Sequence, residues 1–219
     1  MRPAALLAFR AAAALAAFAA PVASRAQDAP PPAPPAESET SWEFGLSGAL
    51  YVLPDDEDFV QPTFRADHGV LHLETRYNYE DRESVSFFAG ANLEFGDKVK
   101  LALTPMLGGL VGNTDGIIPA LEVDFSAGIF AAYAEAEYVF DLNDNSSRYF
   151  YMWSELSLWP TEWLRAGVVT QRTRVYKTER DIQRGLLLGV SFKRLEGTLY
   201  FFNPGSDDHF TVVSLGVSF

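Results

Sequence analysis

The sequence predicts an all-β fold, a transmembrane antiparallel up-and-down β-barrel of about 12 strands, with about 10 as the alternative count. Three observations carry this. Apolar residues recur at every second position from Trp42 to the last residue, Phe219. The connectors alternate between long polar loops and tight turns. The chain opens on a segment built for export rather than for folding.

Composition narrows the alternatives. The chain has 219 residues, enough for one substantial domain, and no cysteine. A disulfide scaffold and a thiolate metal site are therefore excluded. The formal charge of -12 argues against a nucleic-acid partner, whose phosphates require a basic surface. Mean hydropathy of -0.01 excludes a bundle of membrane helices. The 17 Phe, 9 Tyr and 4 Trp must then sit in a pattern that averages conceal.

Residues 1–26 read as a signal peptide. Arg2 and Arg10 supply positive charge, residues 11–20 are a compact apolar run, and Ser24 and Ala26 fit a small-residue cleavage site. The run is short for a helical span. Residues 27–40 contain Pro30, Pro31, Pro32, Pro34 and Pro35, which can neither pair in a sheet nor build a helix. They are expected to form a disordered, periplasmic lead, followed by the barrel over residues 41–219.

Twelve candidate strands follow in order, at roughly 42–52, 58–65, 70–79, 84–95, 99–109, 117–125, 129–140, 148–158, 163–172, 184–193, 195–202 and 210–219. The fourth is the clearest: Val85, Phe87, Ala89, Ala91, Leu93 and Phe95 share one face, and Ser86, Phe88, Gly90, Asn92 and Glu94 the other. The third places Leu71, Leu73, Thr75, Tyr77 and Tyr79 opposite His72, Glu74, Arg76 and Asn78. Segment 131–138 is also a fair helix by propensity, but Tyr133, Glu135 and Glu137 alternate with alanines, as a strand requires. Pro105 and Pro119 fall within spans and each removes a ladder donor, so bulges, strand ends or a constriction are expected there.

The odd connectors, 54–58, 79–84, 111–116, 141–148, 173–182 and 203–209, are polar and often acidic, the fifth being basic. The even ones, 66–69, 96–98, 126–128, 160–162 and a reversal near Arg194, are short. Long loops at one end and tight turns at the other are how membrane barrels are built, and an even strand count returns both termini to the turn side.

A soluble barrel also alternates. A membrane setting is preferred because of the export segment and because Trp42, Tyr79, Phe95, Phe140, Trp159 and Trp163 lie near strand ends, where a headgroup belt would hold them. The other face would line a lumen through Glu74, Arg76, Glu94, Glu122, Asp124, Glu135, Glu137, Glu155, Arg165 and Lys193. Phe88, Met106, Tyr133 and Trp153 are candidates to fill it.

The terminal strand carries Val213, Leu215, Val217 and Phe219 on one face and ends on an aromatic residue. In this it resembles the closing strand of bacterial outer-membrane β-barrel proteins, at the level of the superfamily. That resemblance implies a Gram-negative outer membrane, contact with its lipids and lipopolysaccharide, and Phe219 as a signal to the barrel assembly machinery. The expected function is a narrow passive channel for small polar solutes or ions. Carboxylates outnumber bases among the lining residues, which favours cations. The alternatives are a non-conducting structural or binding barrel, and a hydrolase at the outer rim. The rim candidates are Asp55, Asp56, Asp58, Arg174, Lys177, Asp207, Asp208 and His209. His209 beside two carboxylates has the residue types for acid–base chemistry, whereas His72 reads as a lumenal histidine bonded to a carboxylate. No cofactor, metal or catalytic residue is assigned.

Overall fold

The computed structural model describes residues 41–54, 56–175 and 181–219. The expected signal peptide and proline-rich lead lie outside the described residues, as do Asp55 and Lys177. The strands are β1 (Glu43–Val52), β2 (Phe59–His68), β3 (Leu71–Tyr77), β4 (Val85–Ala91), β5 (Leu93–Phe95), β6 (Val99–Val111), β7 (Gly116–Ala127), β8 (Phe130–Asp141), β9 (Tyr149–Thr161), β10 (Leu164–Val175), β11 (Asp181–Phe192), β12 (Leu195–Phe202) and β13 (Phe210–Ser218). Every neighbouring pair is antiparallel, and β1 pairs with β13, so the sheet closes on itself. Lipid offers backbone groups no partner, and closure removes the open edge that a membrane would not tolerate.

β4 and β5 form a single span, which makes a 12-stranded barrel of 13 hydrogen-bonded segments. Both halves pair with β6 in one register, with Gly90 opposite Met106 above the break and Leu93 opposite Leu103 below it. The interruption falls where Pro105 of β6 has no N–H to give. Gly90 allows the close approach there, because a Cβ would stand 2.6 Å from the Pro105 carbonyl oxygen. Pro119 falls in a gap of the β7–β8 ladder between Ile117–Phe140 and Ala120–Glu137.

The seam runs from Val52 opposite Thr211 to Gly45 opposite Ser218, and Phe219 extends it by one more pair of bonds. Phe44 N–H donates to the Phe219 carbonyl at 2.9 Å, and Phe219 N–H donates back to Phe44 at 2.8 Å. Their rings lie 5.8 Å apart.

The outer face is apolar along its whole height, including Leu46, Phe64, Leu107, Leu121, Leu156, Leu186, Leu199 and Leu215, all exposed. So much exposed aliphatic surface is stable only against lipid. Trp42, Phe95, Phe130, Trp163, Phe192 and Phe219 ring the barrel at the tight-turn end. The described helical content is one short 3-10 turn, Asn145–Ser147, capped by Asp144, whose carboxyl is held below its ordinary range by hydrogen bonds from Ser146.

Three expectations need correction. β2 runs on through Ala66, Asp67 and His68, which pair with Leu73, His72 and Leu71, Ala66 and Asp67 also pairing with Phe44 and Glu43, so the turn is shorter than 66–69. Tyr79 does not belong to the aromatic belt. The strand stops at Tyr77, Asn78 takes φ 58°, and the alternation reverses, burying Tyr79 inside. Trp159 shares the inward face of Glu155 and Ser157, with the Arg165 guanidinium 5.9 Å from its ring.

Candidate functional site: a charged lumen beneath an inward loop

The strands aim every second side chain into the bore, and three layers of side chains result. Nearest the long loops the layer is aromatic. Tyr51, Tyr149, Tyr151, Phe202 and Phe210 project from β1, β9, β12 and β13 and bury one another with Leu110, Ile118 and Val139. Phe202 stacks on Phe210 at 4.6 Å.

The middle layer is ionic. Arg76 of β3 is sealed from water at 1 % exposure and reaches across the bore. One terminal nitrogen lies 2.7 Å from Glu135, 3.3 Å from Glu137 and 3.6 Å from Glu80. Its Nε donates to Glu74, and the Tyr79 and Phe88 rings cover the guanidinium at 4.2 and 4.5 Å. Arg65 of β2 donates to Glu74 and, at 2.9 Å, to Glu122 of β7. Two guanidiniums thus face five carboxylates, Glu74, Glu80, Glu122, Glu135 and Glu137. Glu80 Oε2 and Glu137 Oε1 are buried without a hydrogen-bond partner among the described residues.

Toward the tight turns the bore is polar. Arg165 of β10 donates to Glu155 at 2.9 Å and to Thr198 at 2.9 Å, and lies 3.4 Å from Glu196. Glu155 also accepts from Trp153 Nε1 at 2.9 Å and from Tyr200 at 2.8 Å. Across the bore His72 Nδ1 lies 2.7 Å from Asp67, which also accepts from Asn92 at 2.6 Å. Asp124 is half-buried, and Glu94 is exposed at this mouth. Exposure of lining carboxylates is thus found at the turn end, at Asp124 and Glu94, and the bore is closed at mid-height, where Arg76, Glu135 and Trp153 are all buried.

The cap on this lumen is the β3–β4 connector. Residues 79–84 do not extend away from the rim but fold into the mouth, with Tyr79, Glu80 and Ser84 each 1 % exposed. Asn78 at φ 58° and Glu83 at φ 59° turn the chain in and out again, conformations that non-glycine residues adopt only at some cost. The neck is tied by Asn78 N–H to the Ser84 carbonyl at 3.0 Å and Glu83 N–H to Asn78 Oδ1 at 2.8 Å. Inside, the Tyr79 hydroxyl donates to Glu135 at 2.6 Å and its ring meets Tyr151 edge-on at 6.1 Å. The Tyr149 hydroxyl donates to the Glu80 carbonyl, and Ser86 donates to the Glu80 carboxylate at 2.8 Å. Burial pushes the Glu80 carboxyl up to about 7, with Arg76 opposing the shift.

The structure brings seven of the predicted lining residues into the two ionic groups: Glu74, Arg76, Glu122, Glu135, Glu137, Glu155 and Arg165. Lys193 does not join them. It occupies the β11–β12 turn at φ 57°, with its nitrogen 5.3 Å from the Phe192 ring on the outside. Arg65, Tyr79, Glu80, Glu196 and Tyr200 also line the bore and are not among the lining residues expected from the sequence. Arg65 and Tyr200 follow from the alternation of their strands; Glu80 had no such signal, because its position depends on the reversal at Asn78.

At the rim, Asp56 pairs with Arg82 at 3.3 Å and Asp58 accepts from Leu53 N–H at 3.1 Å. Asp207 and Asp208 are exposed, and His209 Nδ1 faces the Ser206 carbonyl at 2.9 Å rather than a carboxylate. Arg174 lies within β10.

No family model matches the chain, and no curated protein matches it. Solved structures do. A KdgM porin aligns at a TM-score of 0.53 and 11% identity, over 81% of this chain and 98% of its own; the KdgM porin in complex with disordered oligogalacturonate gives the same values. Omp33 of Acinetobacter baumannii aligns over 83% of this chain and 99% of its own, with a TM-score of 0.42 at 13% identity. At such identities the likeness is one of fold, that of porin-like bacterial outer-membrane barrels.

Proposed function

We propose that the chain forms a narrow outer-membrane passage for small polar solutes or ions, preferring cations, and that the structure captures it closed. The observation that carries this is the excess of carboxylates along the bore. They run from Glu80 at the loop end, through Glu135, Glu137, Glu74 and Glu122, to Glu155, Glu196 and Asp124 toward the turns. Burying each such ion costs several kcal/mol, and an apolar packing of equal volume is commonly as stable or more so. A purely structural barrel gains nothing from that expense, whereas a conduit needs polar groups at every height. The KdgM fold neighbour is a porin, which supports the reading at the level of architecture. The name of its complex points to an acidic saccharide; the acidic bore here argues for the opposite charge preference.

A second reading has its own observation. Side chains from β3, β8, β9 and β12 interlock across the bore at mid-height with no exposure to water, as in a barrel that never conducts. Single-channel recording of the refolded mature chain in a planar bilayer, in symmetric potassium chloride, separates the two. Small discrete steps support the passage; a folded, inserted and silent protein across the accessible pH range supports the closed barrel. The outer-membrane setting, the signal peptide and recognition of Phe219 by the assembly machinery form part of the same proposal.

A further inference from the structure

The inward fold of the β3–β4 connector is charged in a way that ordinary loop packing does not need. Its Glu80 carboxylate enters a layer where one nitrogen of Arg76 already faces Glu135 at 2.7 Å and Glu137 at 3.3 Å. Glu80 is third in line for that nitrogen at 3.6 Å. One of its oxygens is satisfied by Ser86, and the other, like one oxygen of Glu137, is buried with no partner among the described residues. Three ionised carboxylates around one guanidinium nitrogen leave an unbalanced negative charge in a dry site. A proton on Glu80 relieves it and supplies a donor to an otherwise unpaired oxygen.

The mechanical parts of a hinged flap are also present. Asn78 and Glu83 hold left-handed backbone at either end of Tyr79–Arg82, and the neck hydrogen bonds between Asn78, Glu83 and Ser84 keep the strand ends together whether the tip is in or out. The tip is fastened to the rim through polar groups. Asp81 accepts from Thr114, and Arg82 reaches Asp56 and the Glu57 carbonyl at 3.3 and 3.1 Å.

We propose that segment Tyr79–Glu83 is a proton-latched plug: protonated Glu80 keeps it seated in the bore, and ionised Glu80, repelled by Glu135, releases it. The charged and titratable groups that bear on Glu80 are Arg76 of β3, Glu135 and Glu137 of β8, and Tyr149 of β9, with Asp81 beside it in the segment. Only Arg76 among them favours ionisation, and it is already shared with Glu74. The direction follows from linkage. A carboxyl that binds its proton more tightly when seated, near 7 against an ordinary 4.5, favours the seated state fully below the ordinary value. That bias falls as pH rises through about 7 and is lost above it. This deepens the channel reading, since it names how the passage opens. Its test reads the segment rather than conduction, so each can fail alone.

The experiment is hydrogen–deuterium exchange of the whole mature chain in lipid nanodiscs, following the peptide over residues 78–86 at pH 5 and pH 9, with protection corrected for intrinsic exchange. Wild type should lose protection by roughly 10- to 100-fold at the higher pH, as expected for a carboxyl held near 7 when seated and near its ordinary 4.5 when released. Glu80→Gln, which keeps the shape and cannot ionise, should stay protected at both. Glu83→Gln, on an exposed side chain of the same segment, should behave as wild type. Equal protection of wild type at both pH values, or an undiminished loss in Glu80→Gln, overturns the proposal.

Discussion

The Arg76 guanidinium of β3 and the Glu135 carboxylate of β8 meet at 2.7 Å across the bore, both without access to water. This pair is the centre of the closed layer. Removing one partner leaves the other charge buried and uncompensated, which costs about 3–5 kcal/mol. Arg76→Ala should therefore lower the stability of the refolded barrel by that order in a urea titration. Adding Glu135→Gln should recover part of the loss, because the double variant carries one less orphaned charge. Two additive losses would show that the pair does not interact.

Gly167 of β10 tests the packing of the wall. A Cβ there would stand 2.2 Å from the Leu156 carbonyl oxygen and 2.7 Å from the Ser157 Cα, both backbone atoms of β9 that have little room to yield. Gly167→Ala should destabilise by about 1–3 kcal/mol, the usual penalty of overpacking. Gly128, at the β7–β8 turn, has open space around it but a left-handed φ of 62°, so Gly128→Ala should cost only the conformational term of about 1 kcal/mol.

Phe219 offers a contrast between folding and delivery. Its backbone closes the seam with Phe44, and its ring is exposed at the turn-end belt. Phe219→Ala keeps both backbone hydrogen bonds. It should refold into detergent nearly as well as wild type yet show a several-fold lower folded fraction in cell envelopes, judged by heat-modifiable migration. Equal yields in both settings would deny the residue a part in assembly.

The same proton latch sets a pH dependence for conduction. If Glu80 seats the plug, open time should be least near pH 5 and should rise as pH passes 7, because the seated state is the one that holds the proton. Glu80→Gln should flatten that profile at the low, closed level.

The spans were legible in the sequence because burial on one face and lipid on the other impose a period of two on nearly every strand. That same period placed Glu74, Arg76, Glu122, Glu135, Glu137, Glu155 and Arg165 on one side of the wall. It failed where the period breaks. At Asn78 a single left-handed residue flips the face, so Tyr79 became a plug residue in place of a belt residue, and Glu80 went unseen. Lys193 failed for a related reason: it keeps the parity of Gly189 and Ser191 but sits past the strand end, where parity no longer sets direction. Alternation also cannot say which lumenal groups meet across the bore, since that depends on the register of strands far apart in the chain, as between Arg65 and Glu122.

Passage of small cations through an acidic bore is read from the reversal potential of the refolded channel under a potassium chloride gradient at pH 8.5. That potential should have the sign given by potassium permeating faster than chloride, and should be reduced in Glu122→Gln and Glu135→Gln. A potential near zero that neither substitution alters, or one of chloride-selective sign, would contradict cation passage.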